Sequence, residues 1–202
     1  MKKYSEYNAE DNYKSRYFYS GTDTYINKFG IKDRELLMKV EADLTNQRLY
    51  ELYCNPLKGD FSLEHLLKVH EYIFHDLYCF AGKIREENIQ KDDTLFCDYL
   101  YISKNLSSKL NELKAENFLS SINFKEFIKR ISYYYSELNI IHPFREGNGR
   151  AIREFIRTLG LRNKFYIEWK ESLNKEHLEA VIYSVFVDTT KLEGYFSKII
   201  TY

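Results

Sequence analysis

The residues best equipped for chemistry form one short run, His142-Pro143-Phe144-Arg145-Glu146-Gly147-Asn148-Gly149-Arg150-Ala151-Ile152-Arg153. His142 is the group in this run whose ordinary pKa suits a general base near neutral pH. Glycine tolerates positive φ and close backbone approach. Successive N–H groups at Gly147, Asn148 and Gly149 can therefore form an anion-binding nest. If a helix begins there, the positive end of its dipole points into the same place. Arg150 and Arg153 then stand three residues apart on one face of its first turn. Cations at a helix N-terminus are unfavourable by about 0.3–1 kcal/mol each, so their presence makes sense around an anion. A polyphosphate is the natural candidate. Glu146 places one carboxylate beside that anion, suited to holding Mg2+ against phosphate oxygens.

Helices must position these groups. The 202 residues contain two prolines and eight glycines, few breaks for a chain of single-domain size. Asp33 reads as the N-cap of a helix running to about Tyr53, with Leu36, Leu37, Val40, Leu44 and Leu52 on its apolar face. Pro56 and Gly59 end it, and Ser62 caps a second helix. From Phe80 to Cys97 the helical period disappears, and Asp92-Asp93 reads as the tip of a small hairpin. A third helix is expected over about Asp98 to Lys114, with Ile102, Leu106, Leu110 and Leu113 inward. Asn123 and Glu126 make a capping-box start for a fourth, which must end near His142 because Pro143 disfavours helix at the residue before it. A fifth opens at about Asn148 and closes at Gly160, and 174–187 and 189–200 read as two more. The sum is an all-α bundle with one small hairpin.

Composition narrows the partners. Lys and Arg number 30, as do Asp and Glu, for a formal net charge of zero. Nucleic-acid and acidic-membrane binding need a positive excess, so neither is expected. No signal peptide or membrane span is expected, and the longest apolar run is about Ala180 to Val187. Cys54, Cys79 and Cys97 have no metal-ligand spacing, read as core or half-buried thiols, and suit a reducing compartment. The expected location is cytoplasmic.

The run from His142 to Arg153 resembles the Fic signature, His-x-Phe-x-(Asp/Glu)-Gly-Asn-Gly-Arg-x-x-Arg, with every specified position filled. Upstream, His65, Leu66, His70, Phe74 and Tyr78, then Ala81-Gly82, Ile84-Arg85, Asn88-Ile89 and Lys91, are similar to the family's helix and "flap" hairpin. The resemblance divides the chain into 1–59, an N-terminal extension and first helix of the same domain; 60–160, the Fic core; and 161–202, C-terminal helices. It implies a protein adenylyltransferase that moves AMP from ATP, with Mg2+, to a hydroxyl of a target protein. Some members transfer phosphate, other nucleotides or phosphocholine, but the phosphate-transferring toxins deviate around the glycines. Position by position, His142 would be the base, Phe144 would fix the loop and Glu146 would hold Mg2+. Gly147, Asn148 and Gly149 would cradle the phosphates, and Arg150 and Arg153 would bind their far end. Asn139, one turn before His142, would touch the nucleotide or orient the base. A protein substrate would dock on the flap at 88–96, and a homo-oligomer stays open.

Near the C-terminus, Thr189-Thr190-Lys191-Leu192-Glu193-Gly194 resembles the family's inhibitory motif, (Ser/Thr)-x-x-x-Glu-(Gly/Asn). Glu193 paired with Arg153 would occupy the cation meant for the γ-phosphate, and Thr189 would anchor the segment. Two alternatives stand beside an autoinhibited AMP transferase. One is an enzyme that mainly removes AMP, with Glu193 orienting water. The other is a catalytically idle, nucleotide-responsive binding module, against which an intact His142, Glu146 and Arg153 argue.

Overall fold

Side-chain caps set the helix starts in the computed structural model, which describes residues 15–91 and 94–202. Asp33 accepts from the Leu36 N–H to open α1 (Arg34–Cys54), and Ser62 accepts from the His65 N–H to open α2 (Leu63–Phe74). Each cap satisfies an N–H that the helix itself leaves unbonded. Strands β1 (Gln90–Lys91) and β2 (Thr94–Leu95) pair antiparallel, Gln90 opposite Leu95 and Lys91 opposite Thr94. The expected tip, Asp92-Asp93, lies outside the described residues. Asp98 caps one 3-10 turn at Tyr99–Tyr101 that leads into α3 (Ile102–Ala115). Asn123 accepts from the Glu126 N–H to open α4 (Phe124–Ile141). Then follow α5 (Asn148–Arg162), β3 (Tyr166–Ile167), α6 (Asn174–Phe186), α7 (Thr190–Ile199) and β4 (Ile200–Thr201).

Helix α5 is the central post. Ala151, Ile152, Phe155, Ile156 and Leu159 are fully buried along it, and it packs against both α2 and α4. Each of the four larger side chains contributes about 1.5–3 kcal/mol when fully buried. Its one buried carboxylate, Glu154, accepts two bonds from Arg157 at 2.7 and 2.8 Å, and Arg157 also donates to the Leu52 carbonyl at 2.9 Å. Both charges are thus paired and hydrogen-bonded, as burial requires. The rigid post fixes whatever sits at its N-terminus, and that is the Gly147 turn.

Three expectations are corrected here, and a segment without a sequence pattern takes on structure. Leu36 is 50% exposed, because α1 covers α2 with Leu37 and Leu52 and leaves Leu36 on the outer side. Cys54 and Cys79 are exposed and only Cys97 is half-buried, since the first two sit where helix and turn ends face outward. A second antiparallel pair, β3 with β4, ties the end of the chain back to the residues after α5. The N-terminal extension, which offers no periodicity to read, holds a Phe18–Tyr25 bridge and buries Phe18.

Candidate active site

His142 ends α4 in the left-handed region, with φ 48°. That conformation turns the chain sharply into Pro143 and the loop. The His142 Nδ1 lies 2.9 Å from the Asn139 carbonyl. A carbonyl only accepts, so Nδ1 carries the proton and Nε2 the lone pair. The ring stacks on Phe96 of the hairpin, 3.8 Å between centroids and 18° between planes. Burial, with the Lys91 and Arg85 charges adding to it, pushes the His142 pKa down to about 3. At neutral pH the imidazole is therefore uncharged and can accept a proton.

Two buried groups that composition did not mark hold this turn. The Arg85 guanidinium, 1% exposed, donates to the carbonyls of His142 at 2.9 Å and Glu87 at 2.6 Å, and also to that of Cys97. It joins both ends of the hairpin to the His142 turn. His70 Nδ1 accepts from the Gly82 N–H at 2.9 Å, so its Nε2 carries the proton and donates to the Glu146 carbonyl, 2.9 Å away. Its ring stacks on Phe144 at 3.8 Å. Phe144 is fully buried.

Burial moves the His70 pKa from 6.5 down to about 3. The unfolded chain then binds a proton below pH 6.5 that the folded chain refuses, so stability falls as pH falls from 6.5 toward about 3. Over that window His70 alone contributes a slope of about 1.4 kcal/mol per pH unit. Urea unfolding of wild type and His70→Gln across it should show the variant less stable at neutral pH but shallower in its decline. Parallel curves would remove His70 from the account.

Gly147 opens α5 at φ 77°. A Cβ there would meet the Phe74 ring at 2.1 Å, so glycine is required twice over. No side chain caps this helix start, which leaves its first N–H groups to an anion. Asn148 spends its side chain closing the loop, accepting from the Phe144 N–H and donating to the Phe144 carbonyl, both at 2.7 Å. Any cradling by Asn148 is therefore through its backbone.

Beside this turn lies a cavity of about 360 Å3 that brings together Asn139, His142, Glu146, Asn148, Gly149 and Arg153. Lys91, Thr94 and Phe96 of the hairpin form one wall, and Leu178, Val181, Ile182 and Val185 of α6 form an apolar one. The apolar run noted in the sequence thus lines the cavity, where it suits a flat base. Arg153 has no carboxylate within ion-pair distance among the described residues. A cation that faces a cavity with no carboxylate paired to it is a receptor for an anionic ligand.

Arg150 stands elsewhere. It pairs with Glu41 of α1 at 2.6 Å, donates to Thr45 at 3.1 Å and reaches Glu146 at 3.4 Å, over the face of Phe74. Tyr78 donates to the same Glu41. Neither Arg150 nor Gly147 lines the cavity. In this structure α1 supplies the anion that Arg150 meets, and the guanidinium anchors α5 to α1.

Glu193 and Thr189 are not at the cavity either. Glu193 accepts from the Thr189 hydroxyl at 3.0 Å, and the expected ion pair with Arg153 is not made among the described residues. The reason is the seating of α7, which buries Leu192, Tyr195, Phe196 and Ile199. Burial raises the pKa of both Tyr135 and Tyr195, and the Arg153 charge near their hydroxyls opposes that rise.

The donor set fits one divalent cation shared with phosphates. Glu146 is a single carboxylate at the cavity, and no cluster of three or more His, Cys, Asp or Glu exists among the described residues. Mg2+ takes one or two carboxylates and completes its shell with phosphates and water.

Residues 60–159 match the family model described as Fic/DOC family. The chain is 38% identical over 165 residues to the protein adenylyltransferase VbhT of Bartonella schoenbuchensis, covering 82% of this chain and 34% of that protein. It therefore spans about a third of that relative's length. It is 30% identical over 185 residues to Fic of Escherichia coli, described as a probable protein adenylyltransferase, with 92% of each covered. Among solved structures, BepC of Bartonella tribocorum with bound AMPPNP is similar at TM-score 0.86 and 24% identity, over 92% of this chain and 96% of that one. The ADP-bound N-terminal Fic domain of a VirB-translocated Bep effector protein from Bartonella quintana is similar at TM-score 0.83 and 26% identity, over 92% and 94%.

Proposed function

The chain belongs to the Fic/DOC family, and we propose that it transfers AMP from ATP to a hydroxyl of a target protein. The observation that carries this reading is the cavity that joins the neutral His142 to Arg153 and to the uncapped start of α5. His142 Nε2 removes the proton of the target hydroxyl as its oxygen attacks the α-phosphorus. The bond to the bridging oxygen breaks, and its electrons leave with pyrophosphate. The chain otherwise contributes position and charge: N–H groups at Asn148 and Gly149 face the phosphates, and Arg153 neutralises their far end. Glu146 would hold Mg2+, which supplies charge neutralisation at the phosphates.

The hairpin at 88–96 is the docking place for the target. Leu95 on β2 is 66% exposed, and among the described residues β2 pairs only with β1, so its other edge can accept an added strand. No described helix is long and apolar enough to cross a membrane.

The test uses ATP labelled in turn at the α- and γ-phosphate, with wild-type protein and a lysate. Label from the α position on protein, with pyrophosphate released, is the expected result. Transfer of the γ label means a kinase-like reaction, and no transfer from either leaves a binding module. Release of AMP from a pre-modified target as the dominant rate would establish removal as the main activity.

Inhibition by Thr189 and Glu193 requires α7 to carry the Glu193 carboxylate to Arg153, a contact absent from the arrangement described above. That arrangement predicts that Glu193→Gly leaves automodification within about twofold of wild type and lowers stability by about 1 kcal/mol, the penalty of glycine inside a helix. A rise of tenfold or more in labelled automodification would establish the brake instead.

A further inference from the structure

A segment outside the matched residues reaches the catalytic loop. Residues 17–27 fold back through the Phe18–Tyr25 bridge, and the two rings stack 4.4 Å apart. The Arg145 guanidinium lies over them, 4.9 Å from the Phe18 ring centroid and 5.3 Å from that of Tyr25. Arg145 is 2% exposed, and its Nη1 donates to the Tyr25 hydroxyl oxygen at 3.0 Å. That hydroxyl in turn donates to Glu146 Oε2 at 3.4 Å. A hydroxyl that accepts from a cation is polarised and donates more strongly. The other oxygen, Oε1, accepts from the Gly147 N–H at 2.8 Å and from Arg150 at 3.4 Å. Both oxygens are oriented by the protein, and a carboxylate oxygen with two lone-pair sites keeps room for a cation.

We infer that Tyr25 is a positioning residue for Glu146: through its hydroxyl it holds the carboxylate in the orientation from which it binds the divalent cation. The strap 17–27 is then part of the active unit, although it precedes the matched residues by more than thirty positions. This rests on the adenylyltransferase reading of the cavity. The contrary account is that the hydroxyl serves only Arg145, as a neutral acceptor for a buried guanidinium.

The two accounts separate in Tyr25→Phe, which keeps the ring stacked on Phe18 and removes one hydroxyl. The probe is Mn2+, titrated by electron paramagnetic resonance into full-length protein saturated with AMPPNP. Loss of a group that orients a metal ligand typically weakens the metal by 10–100-fold. The long 3.4 Å contact puts the expectation at the low end, about tenfold. Transfer measured against Mg2+ should show the same rise in half-saturating metal, with kcat recovered at saturation. Tyr17→Phe is the control: its hydroxyl accepts from the Glu86 N–H at 3.0 Å on the same strap, and its Mn2+ curve should overlay wild type. A Tyr25→Phe curve that also overlays wild type overturns the inference, as does an equal shift in both variants, which would mean a general loosening. Wild-type protein that takes up no Mn2+ with AMPPNP overturns the reading of the cavity itself, and this inference with it.

Discussion

His142→Ala should lower AMP transfer by about 10²- to 10⁴-fold, the usual loss when a general base is removed. ATP binding should survive. The contacts assigned to phosphates come from the start of α5 and from Arg153, and neither is built on the His142 side chain. The turn should also survive, because Arg85 holds the His142 backbone carbonyl and the Arg85 N–H holds that of Pro143 at 2.9 Å. What is lost is the lone pair at Nε2 and the stack on Phe96. The pH profile adds a second reading. Burial lowers the His142 pKa from 6.5 to about 3, and a base works in its neutral form, present above that value. The acid limb of kcat/KM should therefore lie well below 6.5. A variant keeping more than about a tenth of the wild-type rate, or a wild-type limb centred near 6.5, would remove His142 from the role.

Much of this was legible because it is local. Asp33, Ser62 and Asn123 announce helices through bonds three residues away. The run from His142 to Arg153 is contiguous, so its chemistry could be read without a fold. What escaped was long-range. Glu41 meets Arg150 across 109 residues, and Tyr25 meets Glu146 across 121. No pattern at either end marks such partners. The signature points Arg150 at phosphates, and nothing in it announces the carboxylate from α1 that holds the guanidinium. The apolar face of α6 shows the same limit. Its residues ask to be covered, but the sequence does not say whether protein or ligand covers them. Strands β3 and β4 are two residues each, too short for an alternation to show.

Glu193 and Arg153 illustrate how a motif and its geometry can part. The pattern at Thr189 to Gly194 is filled, yet Glu193 turns to Thr189, and the first turn of α7 is fixed by its neighbours Leu192 and Tyr195 in the core. With no carboxylate on it, Arg153 becomes the strongest test of the anion site. Arg153→Ala should cut kcat/KM by about 10²- to 10³-fold, the scale of losing one oriented group that meets developing charge. If the charge acts mainly on departing pyrophosphate, kcat carries the loss; if it acts equally on bound ATP, KM does. Arg153→Lys should recover little, because an ammonium cannot reproduce the planar two-pronged bond to phosphate. Stability should change little, since no buried carboxylate is orphaned. An internal reporter verifies that the charge was where the structure has it. Burial first, and the Arg153 charge second, hold the His177 pKa down to about 4. Removing a neighbouring cation favours the imidazolium, so the His177 pKa should rise in Arg153→Ala when followed by proton NMR. A raised His177 pKa with near wild-type transfer would mean that Arg153 faces the cavity but meets no phosphate, and the anion site would have to be rebuilt around the hairpin.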